Sequence, residues 1–80
     1  MTRTDYVKRF SKFPDLVTVN EFRIMLGGVG ETTARKLLRQ NIVEHLYVNG
    51  TYYIPKDKVI DYMLSPHYMK YRFNLKYAAR

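Results

Sequence analysis

The sequence predicts a small, mainly α-helical domain with one β-hairpin. Three observations carry that expectation. Apolar residues recur at helical spacing in four stretches of the 80 residues, a glycine-rich turn (Gly27-Gly28-Val29-Gly30) separates the second stretch from the third, and Asn49-Gly50 lies between two runs of β-formers. A chain of this length makes one domain, 1–80, with a modest core. The absence of cysteine excludes disulfide staples and thiolate metal sites and suits a reducing cytosol. No apolar run reaches the roughly 18 residues that cross a bilayer. Lys8, Arg9 and Lys12 interrupt any signal-like block at the N-terminus, so the expected location is cytoplasmic, with no membrane partner.

Residues 4–13 form the first predicted helix, capped by Thr4 or Asp5 and stopped by Pro14, with Tyr6, Phe10 and Phe13 on a face that packs on the domain. Thr18-Val19-Asn20-Glu21 is a capping box: the Glu21 backbone N–H can donate to the Thr18 hydroxyl, while the Glu21 carboxylate accepts from the Thr18 N–H. The second helix therefore starts at Val19. It buries Val19, Phe22, Met25 and Leu26 and stops at Gly27-Gly28, because glycine adopts the left-handed conformation a helix stop needs. The third helix runs from Glu31 to Gln40 behind a Gly30 N-cap. Ala34, Leu37 and Leu38 form its apolar back, Asn41 closes it, and Ile42 and Val43 return to the core. Two helices joined by a short glycine turn make a helix-turn-helix candidate.

Asn49-Gly50 within Leu46–Ile54 predicts a hairpin, and a hairpin directly after such a helix pair is a wing. A two-residue loop would put Ile54 on the face opposite Leu46. A three-residue loop with a bulge at Gly50 puts Leu46, Tyr52 and Ile54 together and leaves Tyr47 and Tyr53 outside, so the longer loop is expected. Pro55 leads into a fourth helix, Lys56 to Leu64, with Val59, Ile60 and Met63 facing the core and Ser65-Pro66 ending it. Beyond it, Met69, Tyr71, Phe73, Leu75 and Tyr77 alternate with Lys70, Arg72, Asn74 and Lys76. Strict period two predicts an extra C-terminal strand; a helical reading would align Tyr68, Tyr71 and Leu75.

The net charge of +7 points to a polyanion such as nucleic acid. From Asp15 to Leu64 cations and anions balance, whereas residues 1–14 carry +3 and residues 65–80 carry +4. The basicity thus sits in two arms, 1–14 and 65–80, around a nearly neutral core, 17–64. Within the core the cations gather on the third helix, where Arg35 and Arg39 share a face at i, i+4 with Thr32 and Lys36 beside them. Arginine can read guanine bidentately, and threonine and lysine can hold phosphate. RNA is disfavoured, because the exposed aromatics do not lie on a broad sheet. His45 and His67 are far apart with no cysteine beside them, so no metal site and no cofactor is expected. Asp57 and Asp61 alternate with lysines as a solvated face. The glycine turn follows a helix and lacks the Gly-Lys-Ser/Thr ending of a phosphate loop. Enzymatic chemistry is not expected.

Val17-Thr18-Val19-Asn20-Glu21, Met25-Leu26-Gly27, Val29 through Leu38, and Val48-Asn49-Gly50-Thr51-Tyr52-Tyr53-Ile54-Pro55-Lys56 resemble, in order and spacing, the excisionase-type (MerR-like) winged helix-turn-helix family. The resemblance covers Val17 to Leu64 and implies sequence-specific binding to double-stranded DNA. The second helix of the motif would enter the major groove through Glu31, Thr32, Thr33, Arg35, Lys36 and Arg39, and the hairpin would reach the minor groove through Asn49, Gly50, Thr51 and Tyr53. It also implies a recombination directionality factor of a mobile element, working with a tyrosine recombinase (integrase) and self-associating on bacterial DNA. The alternatives are a small transcriptional regulator with the same domain, or a protein-interaction adaptor acting through the aromatic C-terminal tail. The sequence departs from the family at three points. Gly28 is an extra turn residue, Gly30 replaces a capping serine, and Thr51 and Tyr53 stand where the family commonly carries arginines. The arms, through Lys8, Arg9, Lys70, Arg72 and Lys76, are expected to supply the missing backbone contacts.

Overall fold

A computed structural model describes residues 2–70. The element order is α1 (Arg3–Arg9), β1 (Leu16–Val17), α2 (Val19–Met25), α3 (Glu31–Arg39), β2 (Leu46–Val48), β3 (Thr51–Pro55) and α4 (Lys56–Met63), followed by a helical stretch at 66–70. The architecture is mixed, helices with a three-stranded antiparallel sheet of order β1-β3-β2.

Helix α1 begins one residue before the expected 4–13 and ends four residues short of it, at Arg9; it is capped by Thr2, not by Thr4 or Asp5. The Asp5 backbone N–H donates to the Thr2 hydroxyl and the Asp5 carboxylate accepts from the Thr2 N–H. The same reciprocal box starts α2 at Thr18 and Glu21, as the sequence predicts. Helix α2 ends in a Schellman arrangement: Gly27 N–H donates to the Ile24 carbonyl and Gly28 N–H to that of Arg23, both glycines having positive φ. Helix α3 ends the same way, with Asn41 (φ 57°) donating to Leu38 and Ile42 to Leu37. The turn between α2 and α3 is fastened by Arg23, whose Nε donates to the Val29 carbonyl at 3.0 Å, over a fully buried Val29 side chain.

The core gathers side chains from every helix and from β1 and β3. Phe22, Leu26, Leu38, Ile54, Ile60, Val17, Val29, Val43 and Val59 are the large side chains sealed from solvent. As expected, Tyr6 of α1 and Phe10 at its C-cap join it, with Phe13 packed alongside, and Tyr68 after α4 extends it past residue 64. Helix α1 packs on α4, where Arg3 pairs with Asp61.

Three expectations are corrected. The hairpin loop has two residues: Val48 pairs with Thr51, Tyr47 with Tyr52 and Leu46 with Tyr53. Asn49 (φ 50°) and Gly50 (φ 79°) both take the positive φ of a type I′ turn, whose twist matches the flanking strands. Leu46 consequently lies on the outer face, half exposed, away from Ile54. Second, Leu16–Val17 adds a strand on the other side of β3, with Leu16 opposite Pro55 and Val17 opposite Ile54. Third, Met69 and Lys70 are helical. Ser65-Pro66 ends α4 and at once starts a new turn, in which Met69 N–H donates to the Ser65 carbonyl. The remainder of the predicted C-terminal strand, with Arg72 and Lys76, lies outside the described residues.

Candidate nucleic-acid interface

Helix α3 turns Ala34, Leu37 and Leu38 inward and exposes Glu31, Thr32, Arg35, Lys36 and Arg39, with Thr33 half-buried at the margin. This amphipathic division fixes the helix by its apolar back and leaves its cationic face to solvent. The other core cations are engaged by the protein itself. Arg23 holds the Val29 carbonyl and Asn20 Oδ1, Lys56 Nζ donates to the Phe13 carbonyl at 2.9 Å, and Lys58 Nζ lies 3.0 Å from Glu44. Arg35 keeps a loose ion pair across one turn, with Nε 3.7 Å from Glu31 Oε2. Among the described residues, neither Lys36 nor Arg39 pairs with a carboxylate.

A cleft of about 200 Å³ separates α3 from the hairpin tip. Glu31 and Arg35 line one wall, Gly50, Thr51 and Tyr52 the other, and Thr18, Val19 and Asn20 at the start of α2 close the end. The structure thus brings Glu31 and Arg35 together with Gly50 and Thr51, while Thr32 and Thr33 lie outside the cleft lining. Asn49 completes the tip. Lys36 and Arg39 continue the exposed helix face outside the cleft. Tyr53 does not join it: the two-residue loop sends it to the outer face of the sheet with Leu46. Lys8 and Arg9 stand on α1, beside α4, and Lys70 on the helical stretch after α4, so none of them lines the cleft.

The same register creates a cluster that the periodicity of the sequence does not reveal. Tyr47 and Tyr52 share the inner face with ring centroids 4.7 Å apart, His45 meets Tyr52 edge-on at 5.2 Å, and the Arg35 guanidinium lies 6.0 Å from the Tyr52 ring centre. Tyr52 therefore props Arg35 from the hairpin side while Glu31 holds it from the helix side. The available signal is the Asn-Gly turn, since its two-residue form pairs Tyr47 with Tyr52 directly.

No protein-family model, curated protein or solved structure matches the chain.

A larger concavity, about 340 Å³, lies between Ile42–Glu44 and α4. Its charged groups are mutually satisfied, with Lys58 bridging Glu44 and Asp61. The Tyr62 hydroxyl sits 2.9 Å from His67 Nδ1. Burial, with Tyr68 nearby, pushes the Tyr62 phenol from its ordinary 10.0 up to about 12. The fold favours the neutral phenol, so its contribution is complete below pH 10.0 and is lost as the pH rises toward about 12. Thermal melts across that window should show a smaller alkaline drop in Tm for Tyr62→Phe than for the wild type; equal drops would contradict this.

Proposed function

We propose that this chain binds double-stranded DNA as a winged helix-turn-helix protein. In this reading α2 and α3 are the helix pair, α3 lies in the major groove, the sugar–phosphate strand bordering that groove runs through the cleft, and the tip Asn49-Gly50-Thr51 meets the adjacent minor groove. The observation that carries the proposal is the sorting of the core's cations: Arg23, Lys56 and Lys58 are tied to protein groups, while the cations of α3 face solvent on one side of a helix held by its apolar back. Arg35 and Arg39 would read base edges, Lys36 and the threonines would hold phosphate, and Glu31 would steer Arg35. The hairpin carries no Lys or Arg, so it supplies shape in the minor groove and the helix supplies the charge.

The order and spacing of the motifs support an excisionase-like architectural role on mobile-element DNA, alongside a tyrosine recombinase. A transcriptional regulator would use the same surface. An adaptor acting through the aromatic tail depends on residues outside those described, and nothing in 2–70 favours it.

Fluorescence anisotropy with a mixed-sequence duplex across a salt series tests the proposal. Each phosphate neutralised contributes about −0.9 to the log–log slope, so the Lys36 contact alone predicts about −0.9, steepened by any contact from the arms. Absence of binding at low salt, or a slope near zero, would overturn it.

A further inference from the structure

Among the described residues, strand β2 is an edge of the sheet with no strand beyond it, and all three of its residues are exposed. The register fixes which backbone groups are used. In a two-residue hairpin the pair flanking the turn exchanges both hydrogen bonds and the pattern then alternates, so Val48 and Leu46 bond to β3 while the N–H and C=O of Tyr47 point away from the sheet. The opposite parity serves the other side of β3, where the Lys56 N–H donates to the Asp15 carbonyl at 2.7 Å beyond the Ile54–Val17 pair. Edge strands are commonly protected by charge, proline or a bulge. Strand β2 is short, but its three residues, Leu46-Tyr47-Val48, carry no charge, proline or bulge and pair regularly.

We propose that β2 is a self-association edge, at which two copies of the chain pair antiparallel about a two-fold axis through Tyr47. Three features select a second copy as the occupant. First, the edge is complementary to itself: Tyr47 offers one donor and one acceptor to the same pair on its partner, and Leu46 falls opposite Val48 on the outer face of both copies. Second, the aromatic ring of Tyr47 meets its symmetry mate on the inner face, a favourable cross-strand pair. Third, no net charge opposes pairing at this edge. The chain carries +7, yet residues 45–55 contain no Lys, Arg, Asp or Glu, and the flanking Glu44 is neutralised by Lys58. The pairing joins two three-stranded sheets into one of six strands and extends the apolar outer face of Leu16, Tyr53, Leu46 and Val48 across the axis. It does not depend on the DNA reading, since it uses neither the cleft nor α3.

Sedimentation velocity on the full chain across a concentration series, at a salt concentration that screens the net charge, tests the proposal together with hydrogen exchange at the Tyr47 amide. The expected result is an apparent mass that rises toward twice the monomer's, with Tyr47 exchange slowing in step. Tyr47→Pro removes the outward N–H without taking a bond from β3, and Val48→Lys puts a charge beside the axis. Both should stay monomeric with an unchanged circular dichroism spectrum. If the proline variant fails to fold, the lysine variant decides. A monomer at every concentration with a freely exchanging Tyr47 amide would overturn the proposal, as would a dimer that survives in the folded variants. Protection of Tyr47 that is independent of concentration would also overturn it, because it would mean that another part of the same chain covers the edge.

Discussion

Arg35→Ala/Arg39→Ala is expected to weaken duplex binding on the order of a hundredfold or more while leaving the fold intact. Each arginine that grips a base bidentately is worth about 1–3 kcal/mol of discrimination, and each factor of ten in affinity costs about 1.4 kcal/mol. Both side chains are exposed on the solvent face of α3, so truncation opens no cavity. Within the protein, the double substitution removes the loose pair to Glu31 and the guanidinium–ring contact with Tyr52, both at the surface. Lys36→Ala should behave differently: binding falls uniformly over all sequences and the salt slope flattens by about 0.9, as for a phosphate contact. Anisotropy titrations of the three proteins check both statements. An undiminished affinity in the double variant would remove α3 from the interface.

Phe22→Ala is expected to cost about 3–5 kcal/mol of stability, the ordinary range for truncating a buried phenylalanine. A domain of this size holds about 4–12 kcal/mol in total, so the loss removes much of the margin and lowers Tm by roughly 15–35 °C. Phe22 is fully buried on α2, the helix that packs on both α3 and β3. Its removal therefore loosens both walls of the cleft, and DNA binding should fail at temperatures where the wild type still binds. Thermal melts by circular dichroism measure the effect. A Tm within a few degrees of the wild type would mean that this core is not the one that holds the cleft.

Local chemistry explains which parts of the fold are legible in the sequence. The Thr18–Glu21 box, the glycine stop of α2, the apolar back of α3 and its Asn41 closure depend on residues within one or two turns of each other, and each appears where expected. The expectation of a three-residue hairpin loop fails because it requires Leu46 to be buried with Ile54. The Asn-Gly turn has its own backbone preference, and following it leaves Leu46 only partly exposed. Strand β1 is two residues long, too short for alternation to register, and exists through its pairing with β3. Ser65-Pro66 starts a helical turn as well as ending one; burial of Tyr68, whose hydroxyl reaches the Leu26 carbonyl, favours the helical conformation of Met69 and Lys70, the two described residues of the alternating pattern. In the candidate site, the cationic face of α3 is visible as a periodic pattern. The roles of Thr18, Asn20 and Tyr52, and of Tyr47 stacked on Tyr52, are not, because these residues come together around α3 only after the sheet has formed in its two-residue register.

The most direct measurement is a titration of isotopically labelled protein with a DNA duplex, followed by amide chemical shifts. Binding through the cleft predicts the largest changes along Glu31–Arg39, at Thr18–Asn20 and at Asn49–Tyr52, with Glu44, Lys58 and His67 on the opposite concavity little changed. Large changes confined to that concavity or to the outer sheet face around Leu46 and Tyr53, with α3 unmoved, would contradict a DNA interface built on this helix.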